Sequence, residues 1–152
     1  MKKILYVGIK VSNEDALIKE IIFNSSNNLY IGTISYINFL LTELRTNPDI
    51  ACLLFDDIEL DRGIVFSREE TNDNRTTVIV LIKTLSQNKR FDPKKIVVKM
   101  SRPGRYFEKY GVELFEQWKN KLLSYGVLAE NIFEKPASNK EVANAVVKIL
   151  NQ

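Results

Sequence analysis

The chain has 152 residues, of which 45% are hydrophobic and 27% are charged, a composition typical of one globular domain spanning residues 1–152. It contains no histidine, which excludes serine–histidine and cysteine–histidine catalysis as well as zinc sites built on histidine. The net charge of +3 is far below that of a basic surface that binds nucleic acid. The single cysteine, Cys52, excludes an internal disulfide and fits a buried core position.

The first third of the chain alternates apolar runs with segments of helical spacing. Apolar runs over 4–9, 29–34 and 50–55 predict three strands. The first two lead into predicted helices that begin at Ser12 and Ser35 as N-caps. Their apolar positions are Ala16, Leu17, Ile21 and Ile22 in the first helix, and Ile37, Leu40, Leu41 and Leu44 in the second. Strands that alternate with helices predict a parallel sheet with right-handed crossovers.

The middle of the chain is less regular. Residues 58–76 show no apolar stripe at helical spacing, so an irregular or hairpin insertion is predicted there. Residues 78–82 are all apolar and mostly β-branched, which predicts a strand, and residues 96–98 give a shorter strand. The sheet would therefore contain five to six strands.

A long helix, a short strand and a terminal helix are predicted for the last part of the chain. Gly126 closes the long helix, whose apolar face comprises Phe107, Tyr110, Leu114, Phe115, Trp118 and Leu122. The strand over 131–134 ends at Lys135-Pro136, and Ser138 caps a terminal helix with an apolar stripe. The predicted fold is α/β: an open, mostly parallel sheet of five to six strands with helices on both faces.

Ligands and reactive groups of such a sheet collect at the carboxyl ends of its strands, because helix N-termini and loop amides point there. The residues predicted at this edge are Gly8, Ile9, Lys10, Ser35, Asp56, Asp57, Thr84 or Ser101, and Lys135. A plainer interpretation is also open: Asp56 and Asp57 fit a loop start or a helix cap, and Lys135-Pro136 fits a strand terminator.

The chain resembles the receiver domain of bacterial response regulators, which has a flavodoxin-like fold. The similarity lies in Pro48-Asp49 before the run that ends at Asp56-Asp57, in Gly63, and in the segment from Gly126 through Lys135-Pro136 to the terminal helix. The resemblance implies that Asp56 or Asp57 takes the phosphoacceptor position and that Thr84 or Ser101 takes the switch-hydroxyl position. It also implies that Lys135 pairs with the phosphoryl group and that the Lys135-Pro136 bond is cis.

The segment after the first strand departs from the receiver pattern. Receivers hold Mg²⁺ with an acidic pair at this point, whereas the chain has Gly8, Ile9 and Lys10. No metal and no cofactor are therefore predicted. The resulting prediction is a degenerate, non-catalytic receiver-like domain that regulates by binding a partner protein, with a homodimer as one form of that partnership.

A different function is suggested by "KKIVVKMSRPGR" at 94–105, where basic residues surround a glycine-containing turn before a helix. Lys99, Arg102, Gly104 and Arg105 could hold a phosphate or nucleotide ligand, as in an enzyme, although no P-loop or dinucleotide-binding motif is present. The same segment could contact nucleic acid, but the modest net charge counts against that. A solvated basic loop is the plainer explanation.

The apolar stretch after Met1 is too short for the hydrophobic region of a signal peptide. No apolar run approaches the length of a membrane span. A cytoplasmic location without membrane attachment is therefore predicted.

Overall fold

The computed structural model describes residues 1–8, 14–25, 29–102 and 108–152, with side chains left out of the description at 14–15 and 108–112. Within these residues the strands are β1 (Lys2–Val7), β2 (Leu29–Ile34), β3 (Ile50–Phe55), β4 (Ile96–Met100) and β5 (Ile132–Glu134). The helices are α1 (Glu14–Asn24), α2 (Ile37–Thr46), α3 (Thr77–Gln87), α4 (Glu108–Ser124) and α5 (Asn139–Leu150), and 3₁₀ turns precede β4 and β5. Among the described helices, none is both long and apolar enough to cross a lipid bilayer.

The strands form one parallel sheet in the order β2-β1-β3-β4-β5, which is the flavodoxin-like order. The register aligns the strand ends across the middle of the sheet, because Val7 pairs with Phe55 and Phe55 pairs with Val98. The carboxyl ends of β1, β3 and β4 therefore meet at one edge. The predicted fold class is confirmed, with five strands in the sheet.

Each face of the sheet is covered by its own hydrophobic core, as alternation along the strands requires. On one face, Leu5, Leu53 and Val98 pack with residues of α2, α3 and α4. On the other, Tyr6, Leu54 and Val97 pack with residues of α1 and α5. Cys52 belongs to the second core and is fully buried, so the predicted core position of the cysteine is confirmed.

In the last part of the chain, the end of α4 and the start of α5 form as the sequence predicts. Gly126 has φ +104°, and the amides of Gly126 and Val127 donate to the carbonyls of Leu123 and Leu122, which closes α4 with a Schellman motif. The Ser138 hydroxyl accepts from the amide of Glu141 and caps α5. The Lys135-Pro136 bond is cis, as the receiver resemblance implies.

The start of α2 differs from the prediction. Tyr36, not Ser35, occupies the N-cap position, and no side chain caps the helix there. The helix forms without a cap because its apolar face is buried, with Ile37 and Leu40 in the core. The predicted cap Ser12 lies outside the described residues.

The strand predicted over 78–82 is wrong, because these residues belong to helix α3. Val78, Ile82 and Leu85 are buried at helical spacing, together with Ile79 and Leu81, so one face of the helix enters the core. A run of five apolar residues is compatible with a buried strand or a buried helix, and β-branched composition favoured the wrong alternative. The burial gained by continuing the helix to Gln87 outweighs that weak local preference.

The insertion over 58–76 contains turns and no strand. Asn72, Asp73 and Asn74 have positive φ values of 49°, 55° and 72°, a conformation that asparagine and aspartate tolerate better than other side chains. Buried Thr71 holds the segment by donating its hydroxyl to the carbonyl of Ser67. The segment is therefore irregular and not a hairpin.

Candidate site at the carboxyl edge of the sheet

Three polar side chains converge on the α1/α5 face of the sheet where its central strands end. Alternation along β1 places Tyr6 on the same face as Ile4, and alternation along β4 places Lys99 on the same face as Val97. Asp56 follows β3 directly, and its amide donates to the carbonyl of Val7 at 2.8 Å. Because β3 lies between β1 and β4, Asp56 is flanked by Tyr6 on one side and Lys99 on the other.

Tyr6, Asp56 and Lys99 form what we call the inner cluster. The Lys99 ammonium lies 2.9 Å from Asp56 Oδ1 and donates to the Tyr6 hydroxyl at 2.9 Å. The Tyr6 hydroxyl in turn donates to Asp56 Oδ1 at 3.0 Å. The side chains of Lys99 and Asp56 are each only 10% exposed. Each polar group thus has a partner in a place that water hardly reaches, which is the condition for burying a charge pair.

Asp57, Ser101 and Lys135 form a second group, the outer cluster. The Ser101 hydroxyl donates to Asp57 Oδ2 at 2.9 Å, and the Lys135 ammonium lies 3.3 Å from the same oxygen. Lys135 also lies 3.6 Å from Asp56 Oδ2, so it links the two clusters. The side chains of Asp57 and Lys135 are 28% and 27% exposed. The outer cluster is therefore open to solvent, whereas the inner one is closed.

The charges of the two clusters balance, since two carboxylates face two ammonium groups. Among the described residues, no buried side-chain nitrogen or oxygen lacks a hydrogen-bond partner. Burial raises the pKa of the Cys52 thiol, which keeps it protonated and unreactive. The described edge thus offers carboxylate, hydroxyl and ammonium groups but no activated thiol.

The structure brings together four of the residues predicted at this edge: Asp56, Asp57, Ser101 and Lys135. Thr84 is not among them, because it lies in helix α3 and donates to the carbonyl of Val80. Its assignment rested on the wrong strand over 78–82. Ser101 is therefore the hydroxyl that meets Asp57. The functional roles of these residues stay predictions.

The described residues of the predicted basic turn have different surroundings in the structure. Lys99 points into the inner cluster and is 8% exposed. The Arg102 guanidinium pairs with Glu134 and lies 5.9 Å from the Phe115 ring centroid. Gly104 and Arg105 lie outside the described residues. Phosphate binding by this turn stays a prediction, but two of the four residues predicted to bind the phosphate already have protein partners.

Tyr6 and the contact between Asp56 and Lys99 were missed by sequence reasoning. A signal for Lys99 was present, since it is the only charged residue in the otherwise apolar run of β4. A charge at an interior position of a buried strand needs an opposite charge nearby. Its partners could not be read from local pattern, because Tyr6 and Lys99 are 93 positions apart.

The receiver resemblance implies a divalent metal ion, and the described residues provide few ligands for one. Mg²⁺ needs oxygen ligands that are free to coordinate it. Gly8 has no side chain to offer, and positions 9–13 lie outside the description. No group of three His, Cys, Asp or Glu side chains that could hold a metal ion occurs among the described residues. The Lys99 ammonium is moreover already in contact with Asp56.

The fold is that of response-regulator receiver domains. The chain is similar to the signal receiver domain of a two-component histidine kinase from Clostridium thermocellum, with a TM-score of 0.62, 13% identity and coverage of 99% of this chain and 98% of that one. No protein-family model and no curated protein matches the sequence.

Two further solved structures show the same likeness. A response-regulator receiver domain from Rhodospirillum rubrum has a TM-score of 0.55 and 15% identity, and the match covers 97% of this chain and 89% of that one. A two-component transcriptional regulator from Clostridium phytofermentans has a TM-score of 0.54 and 16% identity, with 99% and 94% covered. At these identities the likeness concerns the fold.

Proposed function

We propose that this chain is a non-catalytic regulatory domain of receiver type, which acts by binding a partner protein and is not switched by phosphorylation of an aspartate. The carrying observation is the contact of the Lys99 ammonium with Asp56, 2.9 Å apart in a nearly buried pair. Because of this contact, Lys99, one of the two cations at the edge, stabilises the fold. The proposal includes a single domain over residues 1–152 and a cytoplasmic location.

The chemistry of phosphoryl transfer supports this proposal. A transferred phosphoryl group carries negative charge over its oxygens, and its transfer depends on cations that neutralise this charge. At the outer cluster, Asp57 faces one ammonium, Lys135, and one hydroxyl, Ser101. Lys99 is engaged with Asp56, and the described residues include no group of three His, Cys, Asp or Glu side chains that could hold a metal ion. The charge neutralisation available to a phosphoryl group on Asp57 is therefore small.

The surface supports a protein partner. Several large apolar side chains are exposed on the described surface, and aromatic residues are enriched in protein interfaces. Tyr36 and Phe39 form an edge-to-face pair, with ring centroids 6.0 Å apart, and are 60% and 65% exposed. Phe23 and Ile64 are 87% and 94% exposed. A homodimer is one form that such a partnership could take.

The experiment is incubation of the purified protein with acetyl phosphate and Mg²⁺, followed by intact-protein mass spectrometry. We expect no added phosphoryl mass, with a phosphorylatable receiver domain in the same reaction as the positive control. The matched variants are Asp57→Asn and Asp56→Asn, which remove the carboxylate of the outer and of the inner cluster. A phosphoryl adduct on the wild type that disappears in either variant would refute the proposal and identify the aspartate that carries it.

A further inference from the structure

We propose that Lys99 supplies a built-in cation in place of a divalent metal ion, so that the receiver-type pocket of this chain is complete without metal. The inference deepens the proposed function, since it rests on the edge being a receiver-type pocket. It names the side chain that makes the pocket independent of Mg²⁺ and predicts that removal of this side chain creates an affinity for metal.

The surroundings of the Lys99 ammonium are those of a bound cation. Its neighbours are oxygen atoms, Oδ1 of Asp56 and the hydroxyl of Tyr6, both at 2.9 Å. It also lies 5.5 Å from the centroid of the Tyr6 ring, within the range of a cation–π contact. Carboxylate and hydroxyl oxygens are the ligand type that hard divalent cations take. The ammonium therefore sits among oxygens that a metal ion would otherwise attract.

The charge balance explains why a metal ion is not needed. Lys99 and Lys135 together match the charges of Asp56 and Asp57. A divalent ion that approaches these four side chains would meet no net charge from them and would be repelled by an ammonium at close range. Replacing Lys99 with an uncharged side chain leaves one net negative charge around Asp56, and a nearly buried carboxylate that has lost its cation attracts another one.

A buried ion pair with only a structural role makes a different prediction. In that case the loss of Lys99 destabilises the fold, and added metal does not change the result. Metal affinity therefore distinguishes a cation substitute from an ordinary salt bridge, whereas loss of stability alone does not.

The experiment is isothermal titration calorimetry of the whole chain with Mg²⁺ and, in parallel, with Mn²⁺, using wild type, Lys99→Met and Lys99→Arg. Thermal unfolding with and without each ion gives a second readout. We expect no saturable binding to wild type or Lys99→Arg. Lys99→Met should bind the ion with an affinity that exceeds any residual affinity of the wild type by a factor on the order of ten or more. Its melting temperature should rise when the ion is added. The double variant Asp56→Asn/Lys99→Met should lose this gain, because the attracting carboxylate is gone.

Two results would overturn the inference: saturable Mg²⁺ binding by the wild type, or equal and negligible binding by wild type and Lys99→Met. If Lys99→Met does not fold, Lys99→Gln, which keeps a polar group beside Asp56, provides the same comparison. The titrations contain no phosphoryl donor, so their outcome is independent of the acetyl phosphate experiment. Phosphorylation without metal binding would refute the proposed function alone.

Discussion

The two adjacent aspartates of this chain lie in contrasting surroundings. Asp56, in the inner cluster, has a side chain that is 10% exposed and is held by Lys99 and Tyr6. Asp57, in the outer cluster, has a side chain that is 28% exposed and is held by Ser101 and Lys135. Asp56 continues the buried face of β3 beyond the end of the strand. Asp57, one position later, lies in a loop that solvent reaches.

The difference teaches that similar contacts need not have similar energies. Both aspartates contact an ammonium and a hydroxyl, but water screens the outer contacts and hardly reaches the inner ones. Loss of one partner from a buried pair leaves an uncompensated charge, whereas loss of one partner from an exposed pair leaves a charge that water solvates. Measured stabilities of variants at each cluster should reveal that contrast.

The largest effect is expected for Lys99→Met, which leaves Asp56 buried without its closest cation. The free energy of unfolding should fall by about 3–5 kcal/mol, measured by urea denaturation in metal-free buffer. The control is the double variant Asp56→Asn/Lys99→Met, which removes both charges and should recover much of the loss. A loss below about 1 kcal/mol for the single variant would mean that the inner cluster is as well solvated as the outer one.

A smaller effect is expected for Tyr6→Phe, which removes the hydroxyl shared by Asp56 and Lys99 and keeps the buried ring. The free energy of unfolding should fall by about 1–3 kcal/mol, because hydrogen bonds to charged groups are lost while the ion pair remains. Denaturation of Tyr36→Phe, at an exposed tyrosine, is the control and should change stability by no more than about 0.5 kcal/mol. Equal results for both variants would contradict the role assigned to the Tyr6 hydroxyl.

At the outer cluster, Ser101→Ala removes the hydroxyl that donates to Asp57. Stability should fall by about 1 kcal/mol or less, because water can replace the lost hydrogen bond at a carboxylate that is partly exposed. The measurement is again urea denaturation, with Ser124→Ala at an exposed helix position as the matched control. A loss as large as that of Tyr6→Phe would show that the outer cluster is closed to water.

The smallest effect concerns Lys3 and Glu43, a partly exposed reference pair 2.8 Å apart near the opposite end of β1. The hydrogen bond from Lys3 lowers the pKa of Glu43 below its ordinary value of 4.5. Its stabilisation is therefore present above the unfolded pKa and is lost as the pH falls through the lower folded-state pKa. Because the Glu43 side chain is 38% exposed, Glu43→Gln should cost only about 0.2–1 kcal/mol at neutral pH.

The measurement is the difference in unfolding free energy between wild type and Glu43→Gln, taken at about pH 7 and at about pH 3. The difference should shrink at the lower pH, because below the ordinary pKa of 4.5 the unfolded chain takes up a proton at Glu43 more readily than the folded chain does. A difference that grows on acidification would contradict the direction of the pKa shift. Comparison with Lys99→Met then gives the effect of burial on an ion pair.

Local sequence patterns sufficed for much of the fold. Three apolar runs in the first third predicted β1, β2 and β3, and Gly126 and Ser138 predicted the end of α4 and the start of α5. These signals act over a few residues: a backbone that needs positive φ, or a hydroxyl that meets a free amide. They are therefore visible without knowledge of the rest of the chain.

The run over 78–82 shows where local pattern fails. Its five apolar residues are compatible with a strand or a helix, and its β-branched side chains favour a strand. The helix forms because Leu85 extends the buried face and the core beneath α3 accepts it. Burial in that core is a property of the folded chain. The wrong prediction of a strand over 78–82 also placed Thr84 at the sheet edge.

The sequence by itself determined that carboxylates, a hydroxyl and a lysine would meet at one edge, because parallel strands bring their carboxyl ends together. Only the tertiary structure decided which aspartate is buried and which cation it binds. Asp56 meets Tyr6 across 50 positions of sequence, and Tyr6 meets Lys99 across 93. Contacts of this kind depend on strand order and register, which arise from the packing of the whole sheet and leave no local pattern in the chain.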